Sequence, residues 1–209
     1  MTYKERIKKE YGKDSAKLID KECSSIDELK TKLADGLILS YSKNSIISYK
    51  KGITKIIIVG TMIPDGLLYF YFGEHSNIYL WIDEARKTSF NNAKERIRLL
   101  KKAGHEQKAE KELNSFIKNL EKEGIAFVDT FDSAVHKEGS SRDKDICCYT
   151  INRVFFESLK VDQNIKIIAV SKLAQCILLE KLGFTNVEHI KLFFNAKKEP
   201  FIKCFKEAK

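Results

Sequence analysis

The sequence predicts an α/β fold in which a four-stranded, mostly parallel sheet is covered by helices on both faces. Three observations carry that expectation. Residues 55–59, KIIIV, place four β-branched residues in a row, Ile56 to Val59, so neither face of that strand suits water. Three more short apolar runs follow, Ile125 to Val128, Ile165 to Val170 and His189 to Phe194. Helical stretches separate these four runs and no tight-hairpin signal lies among them, which favours crossover connections.

The elements follow in order. Thr2 to Gly12 and Lys13 to Glu22 carry apolar residues at helical spacing among charges, and residues 1–36 read as an N-terminal helical layer. Ser25-Ile26-Asp27-Glu28 has the pattern of a capping box, opening a helix that Asp35-Gly36 should end. Leu37 to Lys51 mixes strand-like pieces with Ser, Lys and Asn, and reads as a loop or irregular layer. After the first strand comes a turn over Gly60 to Gly66, then an aromatic run, Tyr69 to Phe72, closed by Gly73. Asn77 to Arg86 reads as a helix burying Tyr79, Trp81 and Ile82. Residues 89–122 form a charged helical pair broken at Ala103-Gly104, the second helix burying Leu113, Phe116, Ile117 and Leu120. Gly124 stops that pair and the second strand delivers Asp129 at its end. His136 to Asp145 has no core-forming pattern and reads as a polar loop, with Thr150 to Leu159 as a helix. Ser171 caps a helix that runs through Leu182 to Gly183, and the chain closes on a basic amphipathic tail.

Composition narrows the classes. At 209 residues the chain suits one domain with a substantial core, expected to span residues 1–209. No apolar run approaches the roughly 20 residues of a membrane span, and Met1 to Gly12 lacks the apolar core of a secretory signal, so the expected location is the cytoplasm. Five cysteines, with no C-x-x-C spacing, read as reduced thiols, and no metal is expected. Lys plus Arg outnumber Asp plus Glu by 38 to 29, a net charge of +9 that raises the expectation of a polyanionic partner.

In parallel sheets ligands lie beyond the carboxyl ends of the strands. Those ends feed Thr61 to Gly66, Asp129 to Asp145, Ser171, and Asn195 to Pro200. Phosphate loops of the G-x-x-x-x-G-K-[ST] and G-x-G-x-x-G types are absent, as is a G-x-S-x-G nucleophile elbow, which argues against nucleotide hydrolases, dinucleotide enzymes and α/β-hydrolases.

The remaining motifs resemble a known family. Gly60-Thr61-Met62-Ile63-Pro64, then Phe70-Tyr71-Phe72-Gly73 with Asn77, then Gly124-Ile125 with Asp129, and Gly139-Ser140-Ser141-Arg142-Asp143-Lys144-Asp145-Ile146 follow the order of motifs in the uracil-DNA glycosylase superfamily. Within it they are most similar to the hypoxanthine/uracil (deoxyinosine) branch. The resemblance spans roughly residues 55–183 and implies a three-layer α/β/α sandwich around a four-stranded sheet. It also implies a monofunctional glycosylase that flips a deaminated base from DNA and hydrolyses its N-glycosidic bond, as a monomer and without cofactor or metal. Phe70 or Phe72 would stack on the flipped base, while Gly60, Thr61, Pro64 and Asn77 would line its pocket. Asp143 and Asp145 would supply the carboxylate that stabilises the oxocarbenium-like sugar or orients water; the branch usually has Asn at the position of Asp145. Ser140, Ser141, Lys197 and Lys198 would contact DNA. Where the family has a Pro- and Ser-rich segment after its fourth strand, this chain has Asn195-Ala196-Lys197-Lys198-Glu199-Pro200.

Competing readings stand beside these. Tyr69 to Phe72 are equally suited to a core, and Asn77 to a helix cap. Asp143 and Asp145 read alternatively as solvated loop carboxylates paired with Arg142 or Lys144, Asp129 as a structural acceptor for loop amides, and His136 and His189 as surface or strand-edge residues. At the level of function the alternatives are a catalytically silent relative that binds nucleic acid or a base-like ligand, and an unrelated doubly wound protein.

Overall fold

The computed structural model describes residues 1–42, 46–61, 76–138, 140, 142–160, 164–190 and 197–207. The chain opens with α1 (Tyr3–Tyr11), whose Thr2 and Glu5 form a reciprocal capping box, and α2 (Lys13–Leu18). In α3 (Ile26–Lys30) Ser25 caps the Glu28 amide, while the Glu28 carboxylate reaches back to Ser24. The helix stops at Lys30, short of the expected Asp35-Gly36. β1 (Leu37–Tyr41) and β2 (Ile46–Ile47) occupy the stretch expected to be irregular. Next come β3 (Ile56–Gly60), α4 (Ile78–Arg86), α5 (Phe90–Lys102), α6 (Glu106–Lys122) and β4 (Ile125–Asp129). After β5 (Phe131–Lys137) a 3₁₀ turn at Asp143–Asp145 leads into β6 (Ile146–Ile151) and α7 (Arg153–Leu159). β7 (Lys166–Ala169) is followed by α8 (Lys172–Cys176), which widens into a π turn at Ile177–Lys181; β8 (Val187–His189) and α9 (Lys198–Glu207) complete the chain.

The first three apolar runs become β3, β4 and β7, and with β8 they form a parallel sheet in the order β4-β3-β7-β8, with β2 a short antiparallel edge on β4. The fourth strand lies earlier than expected: its ladder to β7 runs over Val187 to His189, and it meets the expected run His189 to Phe194 only at His189. Every residue of β3 and β4 is buried, and their alternation explains why. Ile57, Val59, Ala126, Val128 and Ile167 face one core, shared with Ile7, Leu18, Phe156 and Ile177. Ile56, Ile58, Ile125, Phe127 and Ile168 face the other, against Tyr79, Phe116, Leu120 and Phe201. Period-two strands with no polar face thus require helices on both sides, and the chain supplies α1, α2, α7 and α8 on one and α4, α5, α6 and α9 on the other.

Gly124 sets the start of the sheet. Its φ is +68°, and a Cβ there would sit 2.9 Å from the carbonyl oxygen of Ile53. Its own carbonyl accepts from the amides of Lys55 and Ile56 at 2.8 and 3.0 Å, bringing β3 and β4 into register.

A second, antiparallel sheet, β1-β5-β6, corrects the sequence reading of residues 131–151. Phe131–Lys137 is a strand where a polar loop was expected from His136, and Thr150 and Ile151 end a strand rather than begin a helix. Two register shifts interrupt the β5–β6 ladder and break the alternation that marks a strand in sequence. His136 is buried there with its Nε2 2.8 Å from the Ser40 hydroxyl. Among the described residues no helix is long and apolar enough to cross a membrane.

Candidate functional site

The carboxyl ends of β3 and β7, neighbours in the sheet, converge on one side chain. Gly60 closes β3 with its carbonyl taken by the amide and hydroxyl of Thr130, at 2.9 and 2.5 Å. Thr61 follows, its carbonyl taken by the Phe131 amide at 3.0 Å. Its hydroxyl is left to donate to Oδ1 of Asp143 at 2.7 Å. Ser171, one residue past Val170 at the end of β7, caps α8 by accepting from the Ala174 amide at 2.9 Å, and its hydroxyl lies close enough to the same carboxyl to hold its pKa down. Asp143 thus bridges two adjacent strand ends from the 3₁₀ turn before β6.

The two carboxylates of that turn are placed in opposite environments. Burial pushes the Asp143 pKa above its ordinary value; the donors Thr61 and Ser171 oppose that rise, and the nearby Asp14 charge adds to it. Asp145 accepts from the Ser140 hydroxyl at 2.6 Å and from Arg142 Nε at 2.9 Å, and its pKa falls below the ordinary value chiefly through the Ser140 hydrogen bond. The pairing with Arg142 weighed from sequence therefore describes Asp145. Asp143 faces inward instead.

The other sequence candidates lie as follows. Asn77 is exposed at the first position before α4; its carbonyl accepts from the Trp81 amide, and its side chain makes no capping hydrogen bond. Ser140 belongs to the Asp145 cluster. Lys197 is exposed, and Lys198 is paired with both Glu84 oxygens at 2.9 Å. Pro64, Phe70, Phe72 and Ser141 fall outside the described residues. Asp129 is buried at the end of β4 and accepts from the Ser42 hydroxyl.

Two residues at this edge gain their place beside the site from the structure. Ser171, legible in sequence as a helix cap, also serves Asp143. His189 ends β8 opposite Ala169, half-buried, with its pKa lowered first by burial and then by the Lys172 charge, so its imidazole is neutral at neutral pH. The signal for both was position: each lies at or just beyond the end of a parallel strand. Among the described residues no group of three or more His, Cys, Asp or Glu side chains is placed to hold a metal ion.

These features define an α/β/α sandwich of the uracil-DNA glycosylase-like fold, with polar groups gathered at the carboxyl edge of its sheet. The chain is similar to a solution structure from Methanosarcina acetivorans described as a "putative Uracil DNA glycosylase", with a TM-score of 0.51 and 16% identity over 75% of this chain and 91% of that one. At that identity the likeness is one of fold. Comparison with protein-family models and with curated proteins gives no match.

Proposed function

We propose that this chain is a monofunctional DNA glycosylase that hydrolyses the N-glycosidic bond of a deaminated base, uracil or hypoxanthine, flipped out of DNA. The observation that carries the reading is the Asp143 carboxyl, shielded and raised in pKa at the ends of the two central strands. A carboxylate whose pKa is raised is a better base toward water, and its charge, held at a shielded edge, stabilises a cationic sugar. In the proposed step water adds to C1′ and the C1′–N bond breaks. The water proton passes to Asp143, and the bonding electrons leave with the base. Asp145, held down by Ser140 and Arg142, keeps the turn in place; environments that push two neighbouring carboxyls apart in pKa commonly separate their roles.

A second reading, a catalytically silent relative that binds nucleic acid, is favoured by one observation. Thr61 and Ser171 already engage the Asp143 carboxyl, so a substrate water must compete with them. Incubation with duplex DNA carrying a single uracil or hypoxanthine, followed by alkali, separates the two. Strand cleavage at the modified site supports the glycosylase; retention of the DNA without cleavage supports the silent relative.

A further inference from the structure

Several lysines here are paired within the protein. Lys4, Lys50, Lys101, Lys166 and Lys198 each face a carboxylate within hydrogen-bonding or ion-pairing distance. Two lysines beside the candidate site are held differently. Lys17 of α2 donates from Nζ to the carbonyl oxygen of Lys144, in the turn between Asp143 and Asp145, at 3.3 Å. Lys172, the first residue of α8, donates to the carbonyl of Glu10 at 3.0 Å. A carbonyl fixes an ammonium without cancelling its charge. Both side chains are exposed, and neither has a carboxylate partner among the described residues.

These contacts also fix where the charge lies. Lys17 joins the N-terminal layer to the turn that carries Asp143, and Lys172 joins the end of β7, next to Ser171, back to α1. Lys144, also exposed, extends the same rim. Acidic groups at the rim are few: Asp14 is near Asp143, Asp145 is taken by Arg142, and Glu10 lies beside Arg6.

We propose that the N-terminal helical layer is part of the nucleic-acid surface, with Lys17 and Lys172 as a pre-positioned pair that grips backbone phosphates flanking the candidate site. The inference rests on the reading that DNA is the partner and adds which surface holds it. Pre-positioning matters because a tethered side chain loses less freedom when it meets a phosphate. Each phosphate neutralised on duplex DNA steepens the salt dependence of binding by about 0.9 in log–log slope.

The test is binding of the full chain to an undamaged duplex across a salt series, read by fluorescence anisotropy. The variants are Lys17→Gln/Lys172→Gln, the charge-preserving Lys17→Arg/Lys172→Arg, and Lys118→Gln on α6 as a remote control. Glutamine keeps a donor for each carbonyl and removes the charge. The slope is expected to become shallower by about 1.8 in the glutamine double variant, and to stay unchanged in the arginine variant and at Lys118. An unchanged slope in the glutamine variant, an equal loss at Lys118→Gln, or a wild-type chain that does not bind duplex DNA overturns the inference. Because binding is read without cleavage, a chain that grips DNA in this way but excises no base sinks the glycosylase reading and leaves this one standing.

Discussion

The Thr61 hydroxyl donates to the Asp143 carboxylate at 2.7 Å, joining the end of β3 to a turn 82 residues further along the chain. That contact, completed by Ser171, places one shielded carboxyl at the midpoint of the sheet's carboxyl edge. Its consequences can be measured.

The first concerns pH and stability. The Asp143 pKa in the folded chain lies above its ordinary 3.8, so the folded state binds a proton that the unfolded chain has released. Its stabilising effect is therefore full below 3.8 and is lost as the pH rises through the raised folded value. Asp143→Asn removes that penalty. The variant should melt higher than the wild type near neutral pH, with the gap closing as the pH falls toward 4 in thermal melts.

The donors can be removed singly. Ser171→Ala takes away the cap of α8 and a hydroxyl that lowers the Asp143 pKa, and should cost about 1 kcal/mol of stability in urea unfolding, the usual value of a helix cap. Thr61→Val removes only the hydroxyl. It should push the Asp143 pKa higher still, visible as an upward shift of the acidic limb of any activity profile.

Glu180 gives the opposite pH dependence. On the π turn after α8 it accepts two hydrogen bonds from Arg6 at 2.9 and 2.6 Å and one from Tyr11 at 3.2 Å, which holds its pKa below the ordinary 4.5. Its contribution is present above pH 4.5 and fades as the pH falls through the lowered folded value. Amides of α1 should lose hydrogen-exchange protection on acidification, and Glu180→Gln should weaken that protection already at pH 7.

Much of this architecture was legible in the residues. Three buried runs, the two-helix break at Ala103-Gly104 and the cap at Ser171 all follow from local pattern; the fourth strand, half-buried over Val187–His189, carries too weak an apolar signal and precedes the run expected from sequence. The small sheet was not, for reasons visible in its strands. β5 reads FDSAVHK, where Ser133 and His136 are buried polar residues and register shifts break the alternation. β1 pairs with β5 only at long range, and an eight-residue connection replaces the tight turn that would announce the β5–β6 hairpin. At the site, chemistry was readable in part: Asp143 and Asp145 sit two residues apart with similar neighbours in sequence, and only the fold turns one toward Thr61 and the other toward Arg142. Ser171 gave a capping signal that concealed its second partner.

The core should answer in proportion to its packing. Phe127, fully buried on β4 beside Tyr79, has its ring centroid 5.6 Å from that of Tyr79. Phe127→Ala should cost about 3–5 kcal/mol by denaturant unfolding, enough to unfold a marginal domain at 37 °C.

The most direct test of the account is single-turnover cleavage of duplex DNA bearing one uracil or hypoxanthine, comparing wild type with Asp143→Asn and Asp145→Ala. The account predicts cleavage by the wild type, a loss of at least about 100-fold in rate for Asp143→Asn in a protein that still binds DNA, and a much smaller loss for Asp145→Ala. Full activity in Asp143→Asn, or loss confined to Asp145→Ala, would contradict the assignment of the shielded carboxyl as the catalytic group.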